Sequence, residues 1–189
     1  MLFRSKGNYF RLRNLISEDS LAIVCLQGTM MPAALQNPPR GFKLSHKRCE
    51  PWSVCTLIGN NVGHTEQQLL TDLQAIAHLF SLDRTCIICN AYLPPNDSVT
   101  KNQLEDLLLQ LPKPFLLMVD FNARHTLWGD NLVNKRGRLV ESILAHNTYS
   151  IINKNGKATH LHLQSNTYSH IEITIYSSDV SSFEWEVQC

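Results

Sequence analysis

Asp120 and Asn122 stand two positions apart at the end of an apolar run, Phe115–Val119. A carboxylate at the rim of a hydrophobic layer needs a cation or hydrogen-bond donors to offset its lost hydration. The asparagine beside it offers both a donor and an acceptor. A second apolar run, Thr85–Ala91, ends at Tyr92, which sets a phenol at the same kind of rim, before Pro94 and Pro95. A third, Leu21–Leu26, ends at Gln27 and Gly28. Rigid strands position side chains and the loops beyond them carry sites, so these three ends suit a pocket for a phosphate and a metal ion. The same Asp-x-Asn spacing also builds an Asx turn, and both readings stay open.

The elements that must position these groups follow from periodicity. Residues 9–17 put Tyr9, Leu12, Leu15 and Ile16 on one helical face. Residues 29–52, with Pro32, Pro38, Pro39, Gly41 and Pro51, read as irregular. Val54–Ile58 reads as a strand before the turn at 59–61. Leu73–Phe80 alternates and reads as half-buried, whereas Thr85–Tyr92 is apolar through its centre and reads as buried on both faces. Thr100 and Gln103 fit a capping box, ahead of a stripe of Leu104, Leu107, Leu108 and Leu111. Arg136–Asn147 is expected to be a helix with Leu139, Val140, Ile143 and Leu144 inward, and Tyr149–Ile152 to be β. Ile171, Ile173 and Ile175 alternate with Glu172 and Thr174, as in a strand with one wet face. Phe183–Val187 is a candidate last strand. Interleaved helices and buried strands make a layered α/β domain.

Four stretches carry a resemblance: Cys25-Leu-Gln27; Asn90-Ala-Tyr-Leu-Pro-Pro-Asn96; Asp120-Phe-Asn-Ala123 with Leu127-Trp-Gly129; and Arg136-Gly-Arg-Leu139. In order and near spacing they resemble the endonuclease domain of non-LTR, jockey-like LINE retrotransposon polyproteins. That domain belongs to the endonuclease/exonuclease/phosphatase superfamily. The resemblance implies a DNase I-like four-layer α/β sandwich, with two mixed sheets flanked by helices. It implies Mg²⁺- or Mn²⁺-dependent nicking of DNA to prime reverse transcription. Tyr92 matches the family's catalytic tyrosine, Asp120 the aspartate near the attacking water or leaving group, and Asn122 the asparagine that holds the phosphate. Glu172 stands where an aspartate is usual.

The chain departs from that pattern. Gly28 replaces the glutamate that is the family's principal metal ligand, leaving Gln27 as a weak, neutral metal contact. Residues 1–189 are expected to be a single such domain truncated at both ends, without the first strand or the Ser-Asp-His strand. Impaired or absent hydrolysis is therefore expected. A non-catalytic DNA-binding remnant is one alternative, and a phosphatase or phosphodiesterase of the same superfamily is another. DNA is the expected partner through its phosphates, contacted by Asn96, Arg124, His125, Trp128, Arg136 and Arg138. Lys135, Arg136 and Arg138 form one basic cluster and Arg40, Lys43, His46, Lys47 and Arg48 a second; either could touch DNA phosphates, and a solvated charged face is the commoner explanation of such clusters. His125, or the pair His160 and His162, are candidate substitutes for the missing histidine.

Composition sets the outer limits. The 189 residues are 43% hydrophobic and 17% charged, with a formal net charge of +1. Such a chain buries a core and is not a polybasic nucleic-acid coat. No apolar run reaches a membrane span, and no secretory leader is evident. A monomer in the cytoplasm or nucleus, with no membrane contact and no reverse transcriptase domain of its own, is the expectation. Several of the six cysteines lie in apolar segments, as in Ile23-Val-Cys-Leu26 and Cys86-Ile-Ile-Cys89, and they read as free thiols. Cys86 and Cys89, three apart on a strand, face opposite sides and cannot chelate together.

Overall fold

A computed structural model describes residues 12, 14, 16, 21–29, 38–48, 52–82, 84–146, 149–153, 158–162 and 167–178. The strands are β1 (Ile23–Thr29), β2 (Phe42–Arg48), β3 (Ser53–Gly59), β4 (Gly63–Gln67), β5 (Gln74–Ser81), β6 (Thr85–Tyr92), β7 (Phe115–Asp120), β8 (Tyr149–Ile151), β9 (His160–His162), β10 (Thr167–Ser169) and β11 (Glu172–Ser177). Helix α1 spans Lys101–Leu109 and α2 spans Lys135–His146. A short 3-10 turn covers Thr126–Trp128.

Six strands form one sheet in the order β4-β5-β6-β7-β11-β8, and three form another in the order β1-β3-β2. The large sheet is mixed: β6 and β7 run parallel, and its other described pairs are antiparallel. The small sheet is antiparallel in its described pairs. One face of the large sheet packs on the helices, with Ala91, Leu117, Val119 and Ile173 against Leu104, Leu107, Val140 and Ile143. Its other face meets the small sheet, with Phe80, Ile88 and Leu116 against Ile58. Leu12 and Ile16, in helical positions, pack beyond the small sheet on Leu26, Cys55 and Leu57. Helix, sheet, sheet and helical positions make four layers, the DNase I-like sandwich that the motifs imply.

Local chemistry explains the elements that the sequence marks clearly. The Thr100 hydroxyl accepts from the Gln103 N–H at 3.3 Å, and the Gln103 side chain accepts from the Thr100 N–H at 2.9 Å, closing the capping box of α1. Asn134 caps α2, its Oδ1 accepting from the Gly137 N–H at 2.7 Å. Cys86 packs between the sheets and Cys89 packs toward the helices, opposite faces of β6.

Two expectations are corrected, and one strand carries no signal in the sequence. Residues 29–52 are not irregular throughout, because β2 pairs along its length with β3. Phe42 and Leu44 alternate with Lys43 and Ser45, and only that face is apolar. Strand β4 carries no apolar alternation, since it is a mostly exposed edge held by its pairing to β5. Strand β5 is not half-buried: Ile76, His78 and Phe80 are buried on one face and Ala75 and Ala77 on the other, because layers cover both. Tyr9, Leu15 and Phe183–Val187 lie outside the described residues. No described helix is long and apolar enough to cross a membrane.

Candidate active site

Four residues form one row across four strands. Gln74 pairs with Tyr92, Tyr92 with Asp120, and Asp120 with Glu172. Residues opposite one another in a sheet project to the same face. Here that face is turned toward the small sheet, where Tyr92 and Ile76 pack with Val54 and Trp52. The rings of Tyr92 and Trp52 meet edge-on, 6.4 Å between centroids. The sheet therefore brings Tyr92, Asp120 and Glu172 together, though they lie far apart in sequence.

Asp120 is buried, and burial is the main reason that its pKa is pushed up to about 7. The Asn122 N–H, at 3.0 Å from its Oδ1, and the Arg136 charge pull it down, while the Glu172 charge raises it. The Asx turn is thus present. Asn122 takes a left-handed φ of 49°, donates its Nδ2 to the Leu93 carbonyl at 3.1 Å and accepts at its own carbonyl from Asn134 Nδ2 at 2.9 Å. Its side chain crosses from the segment after β7 to the segment after β6, so turn and pocket wall are one structure.

Gln27 Nε2 donates to Asn90 Oδ1 at 2.8 Å, and Asn90 Nδ2 donates to the Cys55 carbonyl at 2.8 Å. Asn90 is a buried polar knot tying β1 and β3 to β6. The next residue, Gly28, sits in a β1 irregularity with φ 58°. That conformation suits glycine, and it stands where the resemblance places a carboxylate.

The residues expected to touch DNA divide. Trp128 is 1% exposed and belongs to the main core, so it supports the loop and cannot meet a DNA strand. Its Nε1 donates to the His170 carbonyl at 3.0 Å. Arg124 grips Asp130, with Nε 3.0 Å from both carboxylate oxygens. Burial pushes the Asp130 pKa up, but Arg124 and the N–H groups of His170 and Leu132 outweigh it and hold the carboxyl low. His125 is buried: its Nδ1 accepts from the Leu127 N–H at 3.1 Å and its Nε2 lies 3.3 Å from Glu141. That leaves it no free nitrogen with which to stand in as a base. Arg136 points its guanidinium inward at backbone carbonyls. Asn96 and Arg138 are exposed. His160 and His162 lie on β9, which pairs with β10. In the second basic cluster, Lys47 Nζ donates to the carbonyls of Thr71 and Leu73 at 3.1 and 2.9 Å, while Arg40, Lys43 and His46 are exposed.

Sequence reasoning passed over Gln74, Asn90, Asp130 and Asn134 as working residues. Asn90 had a signal, a polar residue inside an otherwise apolar strand. Gln74 had none, because its place in the row exists only through strand pairing. Its Oε1 is buried without a hydrogen-bond partner.

Mg²⁺ prefers oxygen ligands in near-octahedral geometry. Position 28 has no side chain, and Gln27 offers only a neutral oxygen. Among the described residues no group of three or more His, Cys, Asp or Glu could hold a metal ion. The donor set does not fit a tightly held divalent ion.

The family described as Endonuclease-reverse transcriptase matches residues 86–188, over half of the chain. The RNA-directed DNA polymerase from mobile element jockey of Drosophila funebris is 25% identical over 99 residues, 51% of this chain and 11% of that protein. Its Drosophila melanogaster counterpart is 27% identical over 78 residues, 41% of this chain and 8% of that protein. The chain thus spans about a tenth of these curated relatives. Among solved structures, the endonuclease domain of TRAS1, a telomere-specific non-LTR retrotransposon, superposes with a TM-score of 0.77 at 15% identity, covering 95% of this chain and 83% of that one. An AP endonuclease from Archaeoglobus fulgidus gives 0.69 at 10% identity, covering 94% and 86%. The chain belongs to the Endonuclease-reverse transcriptase family and shares the fold of these nuclease domains.

Proposed function

We propose that this domain descends from a DNA-nicking phosphodiesterase that served a reverse transcriptase in the same polyprotein, and that its own hydrolysis is impaired. One observation supports the impairment: Gly28, in a left-handed conformation, stands at the position to which the resemblance assigns a metal-binding carboxylate. Phosphodiester hydrolysis in this family relies on a divalent ion to offset charge on the phosphate, and the described residues do not fit one. Tyr92, Asp120 and Asn122 are the candidate groups for orienting the phosphate and the attacking water, with Glu172 beside them. Removing a single electrostatic stabiliser slows turnover on the order of 10²–10³-fold.

Incubation of the pure protein with supercoiled plasmid in Mg²⁺ or Mn²⁺ tests this. The expected result is no nicked circle above the protein-free control. Robust nicking that disappears in Asp120→Ala overturns the impairment.

The intact row favours a second role, DNA binding without turnover. Asn96, in the segment after β6, and Arg138, on α2, are exposed. Binding would be sequence-independent and would weaken as salt rises. No detectable binding to duplex DNA at about 50 mM salt removes this role.

A further inference from the structure

Strands β6 and β7 run parallel, so the segments that follow Tyr92 and Asp120 leave the sheet side by side with no hairpin to join them. The ladder's last tie is the Leu93 N–H, which donates to the Asp120 carbonyl at 3.0 Å. Beyond it, Arg136 takes over from the first turn of α2. Its Nη1 donates to the carbonyls of Leu93 at 2.8 Å, Pro94 at 2.9 Å and Phe121 at 3.1 Å. Its Nη2 donates to the Asp97 carbonyl at 2.5 Å. One guanidinium thus spans four carbonyls on two segments. The first turn of α2 is itself fixed, because Asn134 caps it and also accepts from the Arg124 N–H at 3.0 Å.

We propose that Arg136 is a positioning residue of this site. It ties the segments after β6 and β7 to α2, and so holds Tyr92 and Asp120 in one row, without meeting a DNA phosphate. The role rests on that row being the working site, but the tie itself forms without DNA. A planar five-donor fork suits it; a lysine, one compact ammonium on a flexible stem, cannot reach the same four carbonyls.

Two measurements on the parent chain, Arg136→Lys and Arg136→Met test this. Amide hydrogen exchange reads three local bonds: Leu93 N–H to Asp120, Phe121 N–H to the Ile171 carbonyl, and Asn122 N–H to Asp120 Oδ1. Exchange at these amides should rise about tenfold or more in both variants, while amides of β3 stay at parent rates. Parent-like exchange in Arg136→Lys means that charge alone suffices and overturns the proposal. A uniform rise across β3 as well makes Arg136 an ordinary stabiliser and overturns it too. The second measurement is the salt dependence of duplex binding. Its slope should be unchanged in Arg136→Met; a slope lower by about one means that Arg136 meets a phosphate, which overturns the proposal. If no protein in the series binds DNA, the DNA reading fails, and the exchange data still decide the role of Arg136.

Discussion

Asp120 and Glu172 face each other across the antiparallel pair of β7 and β11, two carboxylates on neighbouring strands at the same rung. Like charges placed so closely disfavour joint ionisation. Burial acts in the same direction and is the larger cause of Asp120's raised pKa, about 7 against an ordinary 3.8.

A raised acid pKa means that the folded chain holds a proton that the unfolded chain has released. Asp120 therefore leaves stability intact below about pH 4 and erodes it as pH rises through about 7. Asp120→Asn keeps an acceptor for the Asn122 N–H and removes the titration. Urea melts at pH 5 and pH 8 should show the variant more stable than the parent at pH 8, and the gap should shrink at pH 5. Equal pH dependence in both proteins contradicts the burial account.

Gly28→Glu would supply the missing carboxylate in sequence but not in place. A non-glycine residue in the left-handed region costs roughly 1–2 kcal/mol, and Gly28 has φ 58°. The variant is expected to melt lower than the parent and to nick plasmid no faster than the parent does. Restored nicking would show that β1 can re-form around a glutamate.

Gly137 lies against the loop after β7. A Cβ there would overlap the Arg124 carbonyl, with Asn134 Oδ1 at 3.3 Å on another side. These are backbone and cap atoms with little room to give, so Gly137→Ala should cost on the order of 1–3 kcal/mol or more. A lowered denaturation midpoint without a change in m-value checks it.

Asn90→Leu removes the knot between the sheets. Gln27 Nε2 and the Cys55 carbonyl lose their partner in the interior. Each buried polar group left unpaired costs about 1–3 kcal/mol, so the variant should lose several kcal/mol by urea melt, far more than Asn96→Leu at an exposed turn.

The parts of the fold written as continuous apolar runs or as a helical stripe, β6, β7 and α1, are readable from sequence because burial on both faces or on one stripe dictates their composition. Strand β4 is unreadable because an exposed edge needs only backbone bonds. The site divides in the same way. Tyr92 and Asp120 stand out as strand ends, but their alignment with Gln74 and Glu172 is a matter of register, which no single segment records. Arg136 and Trp128 have the side chains of DNA-contacting residues, and only the structure turns them inward. Their side-chain types were a cue to chemistry; the burial of Trp128 and the carbonyl contacts of Arg136 make them scaffold.

The parallel junction of β6 and β7 has an evolutionary consequence. Among the described residues it is the one place where two strands end together at the same rim, so topology alone assembles the row. Position 28, where the resemblance puts a carboxylate, lies in the other sheet and takes no part in that pairing. The row can therefore form through strand order alone, whatever residue stands at position 28. Arrangement of the row and chemistry at position 28 are thus separable traits, free to change independently.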